Sequence, residues 1–182
     1  MNISNTKNIE ELIKNYKALD LREMVYKDQM LEFIYNSENH FSRSNKLGHF
    51  TASAFIMNKN MSKFLLMHHK KLNRWFQLGG HCDGDNDVIR VALKEAREES
   101  GINNFHLHFE NIFDLDIHII PKIKDEPSHY HFDCRFLLIA ERESMKKNKE
   151  SNELKWFDIK DTNIPTSNVS IMRMLKKVQL LI

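Results

Sequence analysis

The sequence has little of what marks several large classes of protein. Its 182 residues include only two cysteines, Cys82 and Cys134, too few for a framework of disulfides, so a reducing compartment is expected. Five glycines and three prolines, without repeats, argue against a linker-rich chain. No apolar run approaches the roughly 20 residues of a membrane span, and the first residues lack the apolar core of a signal peptide. We therefore expect a cytoplasmic protein with no membrane partner.

Length and charge narrow the class further. Twenty-seven basic against 25 acidic residues leave a net charge of +2, which excludes a strongly basic nucleic-acid-binding surface. A hydrophobic content of 41% is sufficient for a real core. The length fits one domain, or one domain with an appendage. Because the apolar pattern changes near residue 45, we expect an N-terminal helical extension over 1–45 and the main domain over 46–182.

Two helices are predicted in the extension. Apolar residues recur near the helical period over 10–19 and again over 20–35. The apolar stripe of the second helix is formed by Leu21, Met24, Val25, Met30, Leu31, Phe33 and Ile34. The pair could pack on its own chain, cap a substrate cleft or form a homodimer interface. Packing on the same chain is the simplest of the three.

The main domain alternates between strand and helix patterns. A hairpin is predicted from 50–57 and 63–69, joined by a turn at 58–61. Further β segments, helices and loops follow, and their predicted bounds are: β segments 75–78, 105–120, 129–140 and 154–159; a helix from 85 or 86 to 100; a helix 167–181; a loop 121–128 and a charged loop 141–152. The first of these helices would be capped by Asp85 or Asn86 at its start and by Gly101 at its end. This order is typical of an α/β layered protein.

Three carboxylates give the strongest chemical signal. Glu95, Glu98 and Glu99 are spaced i, i+3 and i+4, which places them on one helix face, one turn apart. Like charges so placed repel, and packing does not require them there. A hard divalent cation with oxygen ligands explains the cluster, and such a cation grips and polarises phosphates. The segment therefore indicates metal-assisted phosphate chemistry, the alternative being a solvated acidic face.

Residues 79–102 resemble the Nudix box of MutT-like hydrolases. That pattern is Gly, five residues, Glu, seven residues, then Arg-Glu-aliphatic-any-Glu-Glu-any-Gly-aliphatic. The matching positions are Gly80, Glu95, Ala96, Glu98, Glu99, Gly101 and Ile102, whereas Asn86 and Lys94 replace the first Glu and the Arg. The resemblance implies an α/β fold in which a mixed β-sheet is sandwiched between helices.

The resemblance also implies roles for individual residues. Glu98 and Glu99 would be ligands of Mg²⁺ (or Mn²⁺), and Gly80 would offer a backbone carbonyl. Glu95 would be a further ligand or the base that activates water, oriented by Lys94. Lysine keeps the positive charge of the family's arginine but loses its planar fork, so we expect looser orientation.

Other acidic residues are weaker candidates. Asn86 loses a negative charge, which Asp83, Asp85 and Asp87 could restore, although capping of the helix is the preferred role for those three. The family often has an additional catalytic Glu far downstream. Glu150 and Glu153 are the candidates here, and loop solubility is the preferred explanation for each.

Histidine is unusually frequent, with ten in the chain. Five of them border the predicted strand ends or the box: His68, His69, His81, His129 and His131. His129, His131, Asp133 and Arg135 alternate along one predicted strand and so share a face.

We predict that His81, His129, His131 and Arg135 bind substrate. Three alternatives remain open: unrelated surface histidines, a transition-metal site for the histidines, and a structural pairing of Arg135 with Asp133. Residues 48–54 and 129–136, with His81, also resemble a poorly characterised bacterial branch of the Nudix family, which implies no substrate.

The leading functional hypothesis is a divalent-metal-dependent pyrophosphohydrolase. It would cleave a nucleoside diphosphate linked to another group, so the partner would be a small-molecule nucleoside diphosphate derivative. A catalytically weak nucleotide-binding or regulatory module on the same fold is one alternative. An enzyme like isopentenyl diphosphate isomerase is another, and it would need Cys82 or another acid placed opposite a glutamate.

Overall fold

Four helices and eight strands form the part of the chain that the computed structural model describes, residues 8–122 and 127–182. The helices are α1 Ile9–Asn15, α2 Leu21–Asn36, α3 Val88–Ser100 and α4 Val169–Gln179. The strands are β1 Gly48–Asn58, β2 Lys63–His69, β3 Arg74–Phe76, β4 Leu78–His81, β5 Phe105–Leu107, β6 Asp114–Ile120, β7 His129–Ala140 and β8 Ser151–Asp158. Within these ranges, no helix has the length and apolar character needed to cross a membrane.

Strands β1 and β7 form the centre of a mixed sheet. They pair in parallel from Gly48 opposite Tyr130 to Asn58 opposite Ala140. On its other side, β1 pairs antiparallel with β4 along its first half and with β2 near its end. Strand β7 divides its outer edge in the same way between β6 and β5. The predicted hairpin of β1 and β2 is confirmed by the pairing of Ile56 with Leu65.

The two faces of the sheet carry different helices. Because successive side chains of a strand point to opposite faces, Phe50 and Ala52 join the core with α2 and α3. Phe55 and Met57 join a second core with α4. Both faces are therefore covered, which confirms the expected mixed sheet between helices and explains why every residue of β1 is buried.

Helix α3 has clear start and stop signals. The Asp87 side chain accepts a hydrogen bond from the Arg90 N–H at the first turn. At the other end, Gly101 adopts φ 69° in the left-handed region, and its N–H donates to the Arg97 carbonyl. The predicted C-terminal cap is confirmed, whereas the predicted N-terminal cap at residue 85 or 86 is wrong by one or two positions.

The N-terminal helices pack on their own chain, which is the simplest of the three predicted arrangements. Phe33 of α2 stacks on Phe132 of β7 with 4.1 Å between ring centroids, and both rings belong to the core beneath α2 and α3. The predicted apolar stripe is wrong in the first half of α2, where Leu21 is 79% exposed. The inward position there is taken by Glu23, because Tyr16 and Lys177 supply it with polar partners.

Several predicted boundaries also change. The segment 105–120 divides into β5 and β6 around a turn, and β8 begins at Ser151, which shortens the predicted charged loop. Helix α4 is two residues shorter than predicted at each end, with Asn168 as its N-cap. The predicted loop 121–128 includes residues 123–126, which lie outside the described part of the chain.

Phe33→Ala tests whether the N-terminal helices belong to the same cooperative unit as the sheet. Removing a buried, stacked ring should lower the free energy of unfolding by about 3–5 kcal/mol. Met24→Ala, on the exposed side of the same helix, should change it by less than about 0.5 kcal/mol. Urea denaturation followed by tryptophan fluorescence measures both. Equal stabilities of the two variants would mean that α2 unfolds independently of the sheet.

Candidate active site

Two glycines bring the backbone of β4 into contact with β1 and α3. A Cβ on Gly79 would lie 2.3 Å from the Cβ of Ser53, and a Cβ on Gly80 would lie 2.7 Å from the carboxyl carbon of Glu95. No side chain fits at either position without displacing its neighbour. The absence of a side chain at 79 therefore lets β4 lie close to β1, and its absence at 80 lets the Glu95 carboxylate of α3 reach the backbone of β4.

Glu99 is the buried member of the carboxylate cluster. Its Oε2 accepts a hydrogen bond from the Gly79 N–H at 2.9 Å. Burial raises the pKa of Glu99 to about 8; the Gly79 N–H opposes this rise, and the negative charges of Glu95, Glu150 and Glu98 add to it. A buried carboxylate among like charges is costly, and a bound cation relieves that cost. The cluster therefore fits a divalent metal ion.

Lys94 joins the two remaining carboxylates. Its Nζ lies 3.3 Å from Glu95 Oε1 and 4.0 Å from Glu98 Oε2. Burial raises the pKa of Glu95, and the charge of Lys94 partly lowers it again. Glu98 is the most accessible of the three, with its side chain 58% exposed. One lysine and three carboxylates thus surround the surface next to Gly80.

Glu150 is the closer of the two downstream candidates. Its charge contributes to the raised pKa of both Glu95 and Glu99. Its backbone carbonyl accepts from the Lys70 N–H at the end of β2, which fixes the loop beside the cluster. Glu153 instead lies within β8 opposite His68.

The three aspartates of the box loop already have partners. The Asp83 carboxylate receives two hydrogen bonds from Arg43, at 2.6 and 2.8 Å. Asp85 pairs with Arg90, and Asp87 is the helix cap. The capping role is therefore found for Asp87. Arg43 and Asp83 are forty positions apart, and no local pattern in the sequence predicts their contact.

The comparisons with known proteins agree with this geometry. The model of the NUDIX domain matches residues 48–177. The chain belongs to the Nudix family. As a Nudix hydrolase, it acts on phosphoric anhydride bonds. The match includes β1, β4, α3 and β7, so every element that forms the carboxylate cluster lies within it, whereas α1 and α2 precede it.

Three solved structures with a similar fold illustrate the range of proteins that this chain resembles. A NUDIX-family hydrolase from Clostridium perfringens is 26% identical, with a TM-score of 0.56, covering 74% of this chain and 98% of its own. An Ap4A hydrolase from C. elegans is 18% identical, with a TM-score of 0.57, covering 72% and 96%. The NUDIX domain of Shewanella oneidensis NrtR, complexed with ADP ribose, is 13% identical, with a TM-score of 0.57, covering 83% and 97%. No curated protein matches this Nudix hydrolase.

A histidine cluster lies on the other face of β4. The rings of His81, His129 and His131, for which the sequence predicts substrate binding, come together, and His49 of β1 joins them. Burial lowers the pKa of His131 to about 2 and that of His49 to about 4, and the neighbouring imidazoles add to both effects. The rings of His49 and His131 are therefore neutral at physiological pH.

The sequence did not single out His49 as a site residue, because its place beside His131 depends on the pairing of β1 with β7. Two other histidines that the sequence had grouped with the cluster, His68 and His69, lie on β2 opposite Glu153 and Ser151 of β8.

Arg135 is a buried structural cation. Its side chain is 2% exposed, with Nε 2.8 Å from Asp133, one terminal nitrogen 3.0 Å from Asp116 and the other 3.3 Å from Asp114. Burial opposes ionisation of Asp116, but Arg135 overcomes it and holds the pKa of Asp116 well below its usual range. These contacts favour the structural alternative over the predicted donor to a substrate phosphate, since the guanidinium is already surrounded by carboxylates.

Arg135→Ala separates these two roles. Removing the cation leaves buried carboxylates without their partner, so the free energy of unfolding should fall by about 3–5 kcal/mol. Arg142→Ala, at an exposed position beyond the end of β7, should change it by less than about 0.5 kcal/mol. Thermal or urea unfolding measures both variants. An Arg135→Ala protein of unchanged stability but raised KM would restore the role in substrate binding.

Proposed function

We propose that this Nudix hydrolase is a divalent-metal-dependent pyrophosphohydrolase that cleaves a nucleoside diphosphate linked to another group. The observation that carries the proposal is that Glu95 and Glu99 lie against the backbone of Gly80 and Gly79. Glu98 lies beside them on the same helix, with its carboxylate 4.0 Å from the lysine that contacts Glu95. Glu98, Glu99 and the Gly80 carbonyl are hard oxygen donors of the kind that Mg²⁺ or Mn²⁺ prefers. The bound cation would neutralise and polarise the phosphate oxygens.

The chain's own residues supply the proton transfer in this proposal. Burial raises the pKa of Glu95, which makes its carboxylate a better proton acceptor than an exposed glutamate. Lys94 lies 3.3 Å from that carboxylate and restrains its direction. Glu95 would take a proton from the water that attacks phosphorus, and the phosphoanhydride bond would break on the opposite side. Glu150 would add negative charge beside Glu95 and Glu99.

The ligands named for two structural relatives support the substrate class of this proposal. The C. elegans protein is named an Ap4A hydrolase, and the Shewanella domain was solved with ADP ribose. Both ligands contain a nucleoside joined through a phosphoanhydride chain to a second group. A screen of nucleotide sugars, nucleoside triphosphates, dinucleotides and capped RNA, with Mg²⁺ or Mn²⁺, would identify the member used by this enzyme.

Two other functions are less well supported. A non-catalytic nucleotide-binding module would not need Lys94 beside Glu95, nor a buried Glu99. An isomerase would need Cys82 as an available acid, but Cys82 is 3% exposed. Burial raises the pKa of its thiol far above the usual range, and the charge of Asp133 adds to this. The buried thiol is therefore a poor proton donor, although the Glu95 carboxylate is near enough for its charge to act on it.

Substitution of the metal-binding carboxylates tests the proposed function. Glu98→Gln and Glu99→Gln each remove one negative charge and keep the side-chain volume. Each should lower kcat by about 100-fold or more, because a cation site supplies several kcal/mol to the transition state. Release of nucleoside monophosphate from the best substrate of the screen is the measurement, with and without a chelator.

Glu11→Gln is the matched control, since Glu11 is an exposed residue of α1 outside the Nudix match, and it should retain full activity. Near-normal turnover by both cluster variants at saturating Mg²⁺ would contradict the proposal.

Substitutions of Lys94 should change kcat/KM less than substitutions of Glu98 or Glu99. An ion pair as exposed as that of Lys94 with Glu95 is worth about 0.2–1 kcal/mol, so Lys94→Ala should lower kcat/KM by up to about fivefold. Lys94→Arg should retain or raise it, because the guanidinium fork orients a carboxylate more firmly. Arg97→Ala is the control, since Arg97 donates to the Asn103 carbonyl at the end of the helix. An unchanged rate for Lys94→Ala would make this residue a solvated helix charge.

A further inference from the structure

The histidine cluster and the carboxylate cluster occupy opposite faces of the same strand. Gly80 faces Glu95 of α3, and the next residue, His81, points to the other face of the sheet. There its ring lies 4.9 Å from that of His131 and 5.1 Å from that of His49, measured between centroids. The histidines therefore form a group that is separate from the proposed Mg²⁺ ligands.

Three of these histidines have the spacing of metal ligands. One ring nitrogen from each of His49, His129 and His131 can be chosen so that all three lie within 4.8 Å of one another. The Nε2 atoms of His129 and His131 are 3.3 Å apart. Two nitrogens bound to one tetrahedral Zn²⁺ at about 2.0–2.1 Å are separated by about 3.3–3.4 Å. The observed separation therefore suits two ligands on one ion.

The hydrogen bond of His129 fixes its tautomer in the form that binds metals. Its Nδ1 lies 3.0 Å from the carbonyl oxygen of Pro127. A carbonyl only accepts, so Nδ1 carries the proton and, in the neutral ring, Nε2 presents a lone pair. Without an ion, that lone pair accepts a hydrogen bond from the Nε2–H of His131, and a bound ion would take the place of that proton. An Nδ1–H donated to a backbone carbonyl is also how proteins orient a ligating imidazole.

His49 is the second, independent observation. The side chain is 1% exposed, and neither ring nitrogen has a hydrogen-bond partner within residues 8–122 and 127–182. A buried polar group without a partner is rare and costs about 1–3 kcal/mol. His49 lies opposite His131 in the β1–β7 register, so its ring is held against the other two. An ion at this position would satisfy it.

We propose that His49, His129 and His131 bind one Zn²⁺ ion in a site distinct from the carboxylate cluster, with His81 beside the fourth coordination position. Three neutral imidazoles favour a borderline ion such as Zn²⁺ over the hard Mg²⁺. The site does not rest on the proposed hydrolytic function, since none of its ligands belongs to the box carboxylates. The site is also rigid, because His129 and His131 both lie on β7 and His49 lies on β1, which pairs in parallel with β7.

The test is metal binding by the full chain after removal of bound ions with a chelator. Co²⁺ is the probe, followed by its visible absorption bands, and Zn²⁺ competes for the same site. In excess Mg²⁺, which would occupy the carboxylate cluster, the wild-type protein should bind one Co²⁺ per chain with the spectrum of a four-coordinate nitrogen site. His49→Asn and His129→Asn should each weaken binding by about 100-fold or more, since losing even an outer partner of a ligand costs 10–100-fold.

Two controls separate this site from others. His106→Asn removes an exposed histidine of β5 that lies beside Glu141, and it should bind Co²⁺ like the wild type. Glu98→Gln should also retain the Co²⁺ spectrum while losing hydrolysis, so failure of the proposed function would leave this result intact. Loss of the spectrum in Glu98→Gln would place the ion in the carboxylate cluster and overturn the proposal.

X-ray absorption of the Zn²⁺-loaded wild type gives a readout that does not depend on the folding of any variant. Three or more imidazole nitrogens in the first shell are expected, and fewer than three would contradict the assignment. A wild-type protein that binds no Co²⁺, together with a raised KM in His49→Asn and His129→Asn, would also overturn it. In that case the histidines would contact the substrate directly.

Discussion

The parallel pairing of β1 with β7 is the constraint on which the rest of the structure depends. Eleven residues of β1 pair in register with β7, from Gly48 to Asn58. Side-chain hydrogen bonds reinforce the register, because Thr51 and Ser53 both donate to the carboxylate of Asp133. All other strands attach directly or through β2 to this pair, and the helices cover its two faces. A shift of one residue would exchange the faces of every side chain on the shifted strand.

The face beneath α4 contains an unusual amount of buried charge. Three cations, Arg135, Arg173 and Lys177, meet four carboxylates there, and Asp114 alone contacts all three cations. Such a network is stabilising only while every member keeps its partner. It joins β6, β7, α4 and, through Glu23, helix α2. The N-terminal helices are thus tied to the Nudix domain by polar contacts as well as by the stacked ring of Phe33.

Strand β4 is short, but it separates two kinds of chemistry. Gly80 lets the glutamates of α3 approach its backbone, and His81 faces the imidazoles of β1 and β7. One face offers charged oxygen ligands, which suit hard cations and phosphate chemistry. The other offers neutral nitrogen ligands, which suit softer ions. The alternation of side chains along a strand is sufficient to keep the two sets apart although they are adjacent in sequence.

By itself, the sequence determined the features that depend on local spacing. The three glutamates share a face because α3 is a helix, and its cap at Gly101 needs only the left-handed conformation that glycine allows. The strand over 129–140 and the hairpin after residue 50 also follow from patterns within a few residues.

Only the tertiary structure decided which distant residues meet. His49 reaches the histidines of β7 through a parallel pairing across about eighty positions, Arg43 reaches Asp83 across forty, and Arg135 is buried because β6 supplies Asp114 and Asp116. The periodicity of a strand shows which residues share a face, but the identity of its neighbours is set by long-range pairing. For this reason the box could be recognised in the sequence, whereas the place of His49 in the histidine cluster and the structural contacts of Arg135 could not.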